Sequence, residues 1–258
     1  MTDPVTLAVL ATIGLSAGAY AWGLARVRAR RRPFPAWAIA AFAAGLAALG
    51  AALLGPADEL ADRSLAWHMV QHLLLLSVVA PLLLLGAPLR LLLAALPAHS
   101  ASTMARVLRS APLRVLAFPA VAWLQFACVM YGVHFSPLYE AALEHPAVHA
   151  LEHALFLSSG LVFWAPLLAV APAPHAPPHP VRLLALFAAL PMSAFLGFVF
   201  STASHVMYAH YTGQPGALAD QTAAGTVMWV AGGLPLFVAL LWCVAAWGAH
   251  ERRLGALG

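Results

Sequence analysis

Seven apolar runs, each long enough to cross a bilayer, take up most of the 258 residues and leave only short connections between them. They fall at about 5–25, 34–54, 67–89, 115–134, 150–171, 183–205 and 223–247. A helix rising 1.5 Å per residue needs roughly 20 apolar residues to cross a hydrocarbon core about 30 Å thick. The longest connection runs from about Arg90 to Arg114, so no independent soluble domain is expected between spans. Residues 1–258 read as one domain: an all-α, polytopic integral membrane bundle with seven transmembrane helices. Composition supports this, since 63% of residues are hydrophobic and only 9% charged, whereas a soluble surface needs about 25% charged residues. Asp3 precedes the first run and no basic segment does, so that run reads as a retained helix and not a secretion signal.

Charge gives the expected orientation. Arg residues number five in 26–32, four in 90–114, one at 182 and two at 252–253, against Arg63 alone in the alternate connections. Basic residues mark the cytoplasmic side, so the amino terminus is expected outside and the carboxyl terminus in the cytoplasm. The net charge of +4 then describes a rim facing anionic membrane lipid, with no signature of nucleic-acid binding. Cys128 and Cys243 fall in opposite halves of the bilayer, and no disulfide is expected. There is no CxxC, nucleotide-binding glycine loop or nucleophile elbow.

Twelve histidines are many for so apolar a chain. Eight of them, including His134, His145, His205 and His210, belong to the outer ends of the runs; His99, His175, His179 and His250 belong to the cytoplasmic side as solvated loop residues. Two outer pairs have helical spacing: His68 and His72 in WHMVQH, and His149 and His153 in HALEH. Residues four apart share a helix face, so each pair can aim both imidazoles at one ion. The four make a candidate metal site, with His72 and His153, the deeper members, as principal ligands. Nitrogen suits copper and zinc, and the sulfurs of Met69, Met130, Met207 and Met228 near the same level would favour Cu(I), with zinc second.

Glu152 is expensive at this depth unless paired, and reads as an acceptor orienting a ligand histidine. The order HxxEH also occurs in a class of zinc proteases, although a protease would need a further ligand and a substrate cleft. Asp220 and Gln221 are placed to cap the first turn of the last helix. Gly225 would allow close helix approach, and Trp229 would either anchor at the interface or wall a polar pocket beside Met228. Pro81, Pro88, Pro191 and Pro235 interrupt helices as in some transporters. The polar residues nevertheless gather at one face instead of mid-bilayer, which ranks transport below metal handling.

The motifs MxQHxLL at Met69–Leu75, EHPAVHALEHALFLSSGLVFWAPL at Glu144–Leu167 and DQxxAGxxMW at Asp220–Trp229 resemble the bacterial cytochrome c oxidase assembly family called CtaG in its seven-helix, Bacillus-type form. The likeness extends from the second run to the end of the seventh, and His72, His149, His153, Asp220, Gln221 and Trp229 are its most relevant positions. It implies a multi-pass protein of the bacterial cytoplasmic (inner) membrane. Such a protein would assist assembly of haem–copper cytochrome c oxidase, binding copper at its periplasmic or exterior face and transferring it to an oxidase subunit or another copper chaperone, with a homo-oligomer allowed. A metal-free assembly scaffold and a copper importer or homeostasis protein are the alternatives.

Overall fold

In the computed structural model the described residues are 4–169 and 177–255, which leaves Asp3 and His175 outside them. Among these residues all regular structure is helical and there is no strand. The order is α1 (Pro4–Ala29), α2 (Ala36–Leu53), α3 (Pro56–Ala61), α4 (Leu65–Leu73), a π-helical segment (Leu74–Val79), α5 (Ala80–Leu85), α6 (Pro88–Ala95), α7 (Ala98–Leu108), α8 (Ala111–Leu116), α9 (Pro119–His134), α10 (Pro137–Glu144), α11 (Pro146–Leu168), α12 (His179–Thr202), a 3-10 turn (Ala209–Tyr211) and α13 (Ala217–Gly255). Among the described residues, six helical stretches are long and apolar enough to span, with α4 to α6 counted as the single stretch Leu65–Ala95. A seventh results if α9 and α10, bent by 63°, form one crossing. Leu15, Leu184 and Phe187 are among many exposed apolar side chains, an arrangement suited to lipid.

The fourth run differs in shape from a plain span. Pro119 forces Phe118 into an extended conformation, as proline does to the residue before it, so α8 and α9 are separate. The chain then turns at His134, and Ser136 restarts it by accepting a hydrogen bond from the Leu138 amide at 3.2 Å. The last helix begins at Ala217 and continues to Gly255, beyond the apolar window 223–247, because helical hydrogen bonding persists into its polar ends. Arg252 and Arg253 fall in the final turn, where they complement the helix dipole.

The π segment follows His72 directly. There the amide of Ala80 donates to Leu75 O, five residues back. The same register would pair Leu76 O with residue 81, which is proline and has no N–H. Trp164 of α11 supplies the missing donor, its Nε1 lying 2.9 Å from Leu76 O. Gly160 makes the crossing possible, since a Cβ there would stand 2.9 Å from both Leu76 O and Ala80 Cβ.

A seam of small residues joins α12 to α13. Gly197 and Gly225 face one another so closely that a Cβ on either would meet the other's carbonyl oxygen, and Ser193 Oγ donates to Met228 O nearby. This is the close approach expected of Gly225, and the packing that small residues permit in membranes.

Cross-connections gather the start of α4 and of α13, the end of α9 and of α12, and the short α3 and α10 at one end of the bundle. Asp220 meets Ser64, Gln71 meets Asp58, Tyr208 meets His134 and Glu140 meets His210. The Arg-bearing connections lie at the other end, where Arg30 donates to Ala94 O and Leu96 O and the buried Arg182 donates to Leu167 O.

Candidate metal centre

The two histidine pairs lie side by side inside the polar end. His68 and His72 project from α4, and His149 and His153 from α11, as their spacing requires. His68 is the hub: its ring centroid is 4.4 Å from that of His72, 5.0 Å from His149 and 6.5 Å from His153. His149 and His153 are themselves 4.2 Å apart. His68, His72 and Glu152 are 0–1% exposed and His153 is 7% exposed.

Glu152 enters this layer instead of standing behind it. His68 Nε2 and His72 Nε2 are 3.0 Å apart, and Glu152 Oε2 is 3.4 Å from the first and 3.5 Å from the second. For metal–ligand bonds of about 2.0–2.1 Å, the edge of a coordination tetrahedron is about 3.4 Å. The three atoms therefore describe one face of such a tetrahedron. His68, His149 and His153 form a second compatible group, with all ligand atoms of each group within 4.8 Å of one another.

Hydrogen bonding inside the protein joins the Nε2 atoms of His68 and His72 to one another and leaves other polar atoms of the cluster unaccounted for. Both carboxylate oxygens of Glu152, Nδ1 of His68 and of His72, and Nε2 of His149 and of His153 are buried without a hydrogen-bond partner. Burying a carboxylate with so little compensation is costly, and a cation is what such groups ordinarily meet. Donor type, spacing and the unpartnered atoms of Glu152, His149 and His153 all suit a metal of the copper or zinc kind.

A largely aromatic wall encloses the donors. Phe156 stacks on His72 with centroids 4.2 Å apart. The α9–α10 bend carries Tyr139 inward, to 5.0 Å from His68 and 5.8 Å from His134. Tyr208 and Tyr211 come from the loop before α13. Burial raises both phenols well above the usual tyrosine range, so they remain donors; Tyr208 Oη binds His134 O at 3.0 Å. A cavity of about 880 Å³ opens beside this wall, and His149 and His153 share its lining with Asp58, Asp62 and Glu144.

Other sequence candidates occupy different positions. His134 is buried next to the cluster, with its Nε2 3.3 Å from Met69 Sδ and its Nδ1 2.7 Å from Met130 O. Asp220 caps α4, not its own helix: Oδ2 accepts from the Leu65 amide at 2.6 Å and Oδ1 from Ser64 Oγ at 2.7 Å. The reason is that α13 starts three residues before Asp220, which puts this side chain inside the helix and beside the neighbouring amino terminus. Gln221, buried, accepts from the Met207 amide at 2.8 Å and donates to His205 O at 3.1 Å, tying the loop to α13 in place of a cap. His205 is exposed and Met207 half-buried. Met228 packs in the apolar core, and Trp229 is 57% exposed on the outer surface, which excludes it from the pocket wall. Tyr139 and Phe156 are site residues that sequence reasoning missed: Tyr139 has no helical spacing tying it to a histidine, and Phe156, one turn beyond His153, reads as an ordinary apolar residue of its helix. Gln71, which bridges Ala52 O and Asp58, was visible only as a polar residue inside a motif.

A family model described as cytochrome c oxidase caa3 assembly factor (Caa3_CtaG) matches residues 18–249. An uncharacterized protein of Mycobacterium bovis is 27% identical over 250 residues, covering 92% of this chain and 38% of the mycobacterial protein. Another uncharacterized protein, from Mycobacterium leprae, is 25% identical over 248 residues, or 91% of this chain and 38% of its own length. The chain thus spans well under half the length of these curated relatives. No solved structure matches it.

Proposed function

The chain belongs to the cytochrome c oxidase caa3 assembly factor family, and from that premise we propose that it binds copper at its histidine cluster and passes the ion toward the copper centre of a haem–copper oxidase. The observation that carries this reading is the three-atom face formed by His68 Nε2, His72 Nε2 and Glu152 Oε2. The imidazoles around His68 suit copper in its Cu(I) form, and the carboxylate extends the same cage to a harder ion.

Orientation follows from charge. With the Arg-rich end in the cytoplasm of a bacterial inner membrane, the cluster faces the periplasm or exterior. The cavity shared by Asp58, Asp62, Glu144, His149 and His153 gives a cation an access route, its acidic lining drawing the ion toward His149 and His153. His68, a member of both ligand groups, then exchanges ligands with the deeper His72 and Glu152. The phenols and Phe156 keep water from competing for the ion. Release to an oxidase subunit, or to another copper carrier, proceeds by the same exchange down an affinity gradient.

The test uses membranes in which the chain is deleted or carries His68→Asn with His153→Asn, grown under copper limitation. Oxidase activity and oxidase-bound copper are measured per amount of oxidase polypeptide, together with total cell copper and the level of the variant protein. Both oxidase quantities should fall in the two strains, with partial recovery on added copper. Normal oxidase in the stable double variant would favour a metal-free scaffold, and a fall in total cell copper preceding the loss of oxidase would favour an importer. Either result overturns the proposal.

A further inference from the structure

His134 and Met69 make a contact that ordinary hydrogen bonding does not explain. Nδ1 of His134 lies 2.7 Å from Met130 O. A carbonyl oxygen only accepts, so Nδ1 carries the proton. In the neutral ring Nε2 is then a bare lone pair, and it points at Met69 Sδ from 3.3 Å. A thioether sulfur has no proton to give. Two lone-pair donors thus face one another inside the protein, with His134 at 2% and Met69 at 0% exposure.

We propose that His134 Nε2 and Met69 Sδ form a second metal site, selective for a soft monovalent ion such as Cu(I) and distinct from the nitrogen and carboxylate cluster. With metal–nitrogen and metal–sulfur bonds of about 2.0 and 2.3 Å, a 3.3 Å separation corresponds to an angle of about 100° at the ion, close to tetrahedral. One imidazole and one thioether favour Cu(I) over zinc and over Cu(II). The imidazole is anchored on its own helix through Nδ1, and Tyr208 Oη donates to the backbone carbonyl of the same residue.

His72 connects the two sites. Its Nε2 belongs to the face shared with His68 and Glu152, its Nδ1 is buried and unpartnered, and its ring stands edge-to-face with His134 at 5.8 Å. Passage from cluster to pair is a ligand exchange in which copper remains Cu(I) and no electron moves. The inference rests on the preceding reading only for the supply of copper to this end of the bundle.

Purified full chain in detergent, kept anaerobic and reduced, would be titrated with Cu(I) against a chromogenic Cu(I) chelator, and the copper environment read by X-ray absorption. Wild type should bind two ions per chain and show a sulfur neighbour at about 2.3 Å. Met69→Leu, which conserves volume, should lose one ion and the sulfur signal and keep the nitrogen and oxygen signal. His68→Asn with His153→Asn should keep the sulfur-bound ion, and excess zinc should not displace it. A wild-type spectrum without sulfur overturns the second site without reference to any variant. Sulfur persisting in Met69→Leu, or vanishing in the double variant, does the same. Wild type holding the sulfur-bound ion alone would instead remove the histidine cluster from the preceding proposal and leave this site standing.

Discussion

Glu152 is where a metal-holding role and a structural role make opposite demands. A carboxylate that holds a helix pair together by ion pairing is strongly destabilising to remove, by about 3–5 kcal/mol, whereas one that waits for a cation is a liability in the apo protein. Glu152→Gln keeps the shape and removes the charge. In metal-free detergent solution its unfolding midpoint should equal or exceed that of wild type, while the stabilisation conferred by added copper should shrink. A large loss of apo stability would make Glu152 a structural ion-pair partner. The two histidine pairs were legible in the sequence because helical spacing is local. The contact of His134 with Met69 was not, because 65 residues separate them and only the fold brings the imidazole to the sulfur. Tyr139 escaped for the same reason, being delivered by a bend after His134 that hydropathy does not register.

Among the helices, two side chains hold the cluster's supports in register. Asp220 satisfies the Leu65 and Ala66 amides at the start of α4, three and two residues before His68. Asp220→Ala should lower stability by about 1–2 kcal/mol, as loss of a cap does, and should also weaken copper retention by letting the first turn of α4 fray. Unfolding midpoint and bound copper, measured on the same preparation, would check this; unchanged copper with reduced stability would separate the cap from the site. Trp164 covers the carbonyl of Leu76. Trp164→Phe leaves it unsatisfied in a dry environment, with an expected loss of about 1–3 kcal/mol and no change in the ligands themselves. Apolar length and arginine spacing made the spans readable. The π segment was not, because proline at 81 reads equally well as an ordinary kink, and Asp220 was read as a cap on the wrong helix because the apolar window begins after it.

Across the whole molecule, the arginine end and the histidine end are separated by the bundle, and the assigned orientation is open to direct measurement. In a background with Cys128→Ser and Cys243→Ser, Gln214→Cys should react with a membrane-impermeant thiol reagent in intact cells. Ser102→Cys, on the exposed face of α7, should react only after permeabilisation. The reverse pattern would turn the proposed site toward the cytoplasm and with it the route of copper. What positions that site in depth is the early end of α9. Its 16 residues rise about 24 Å, some 6 Å less than a typical hydrocarbon core, before the chain turns sideways into α10. On the assigned orientation, with Pro119 at the cytoplasmic edge of the hydrocarbon core, His134 would sit below the headgroup plane, at a level where water is scarce and a bare monovalent ion has no hydration shell to return to. An ion bound at that level would be held by kinetics as much as by affinity: it would leave when another ligand came in to take it, and dilution alone would not draw it out.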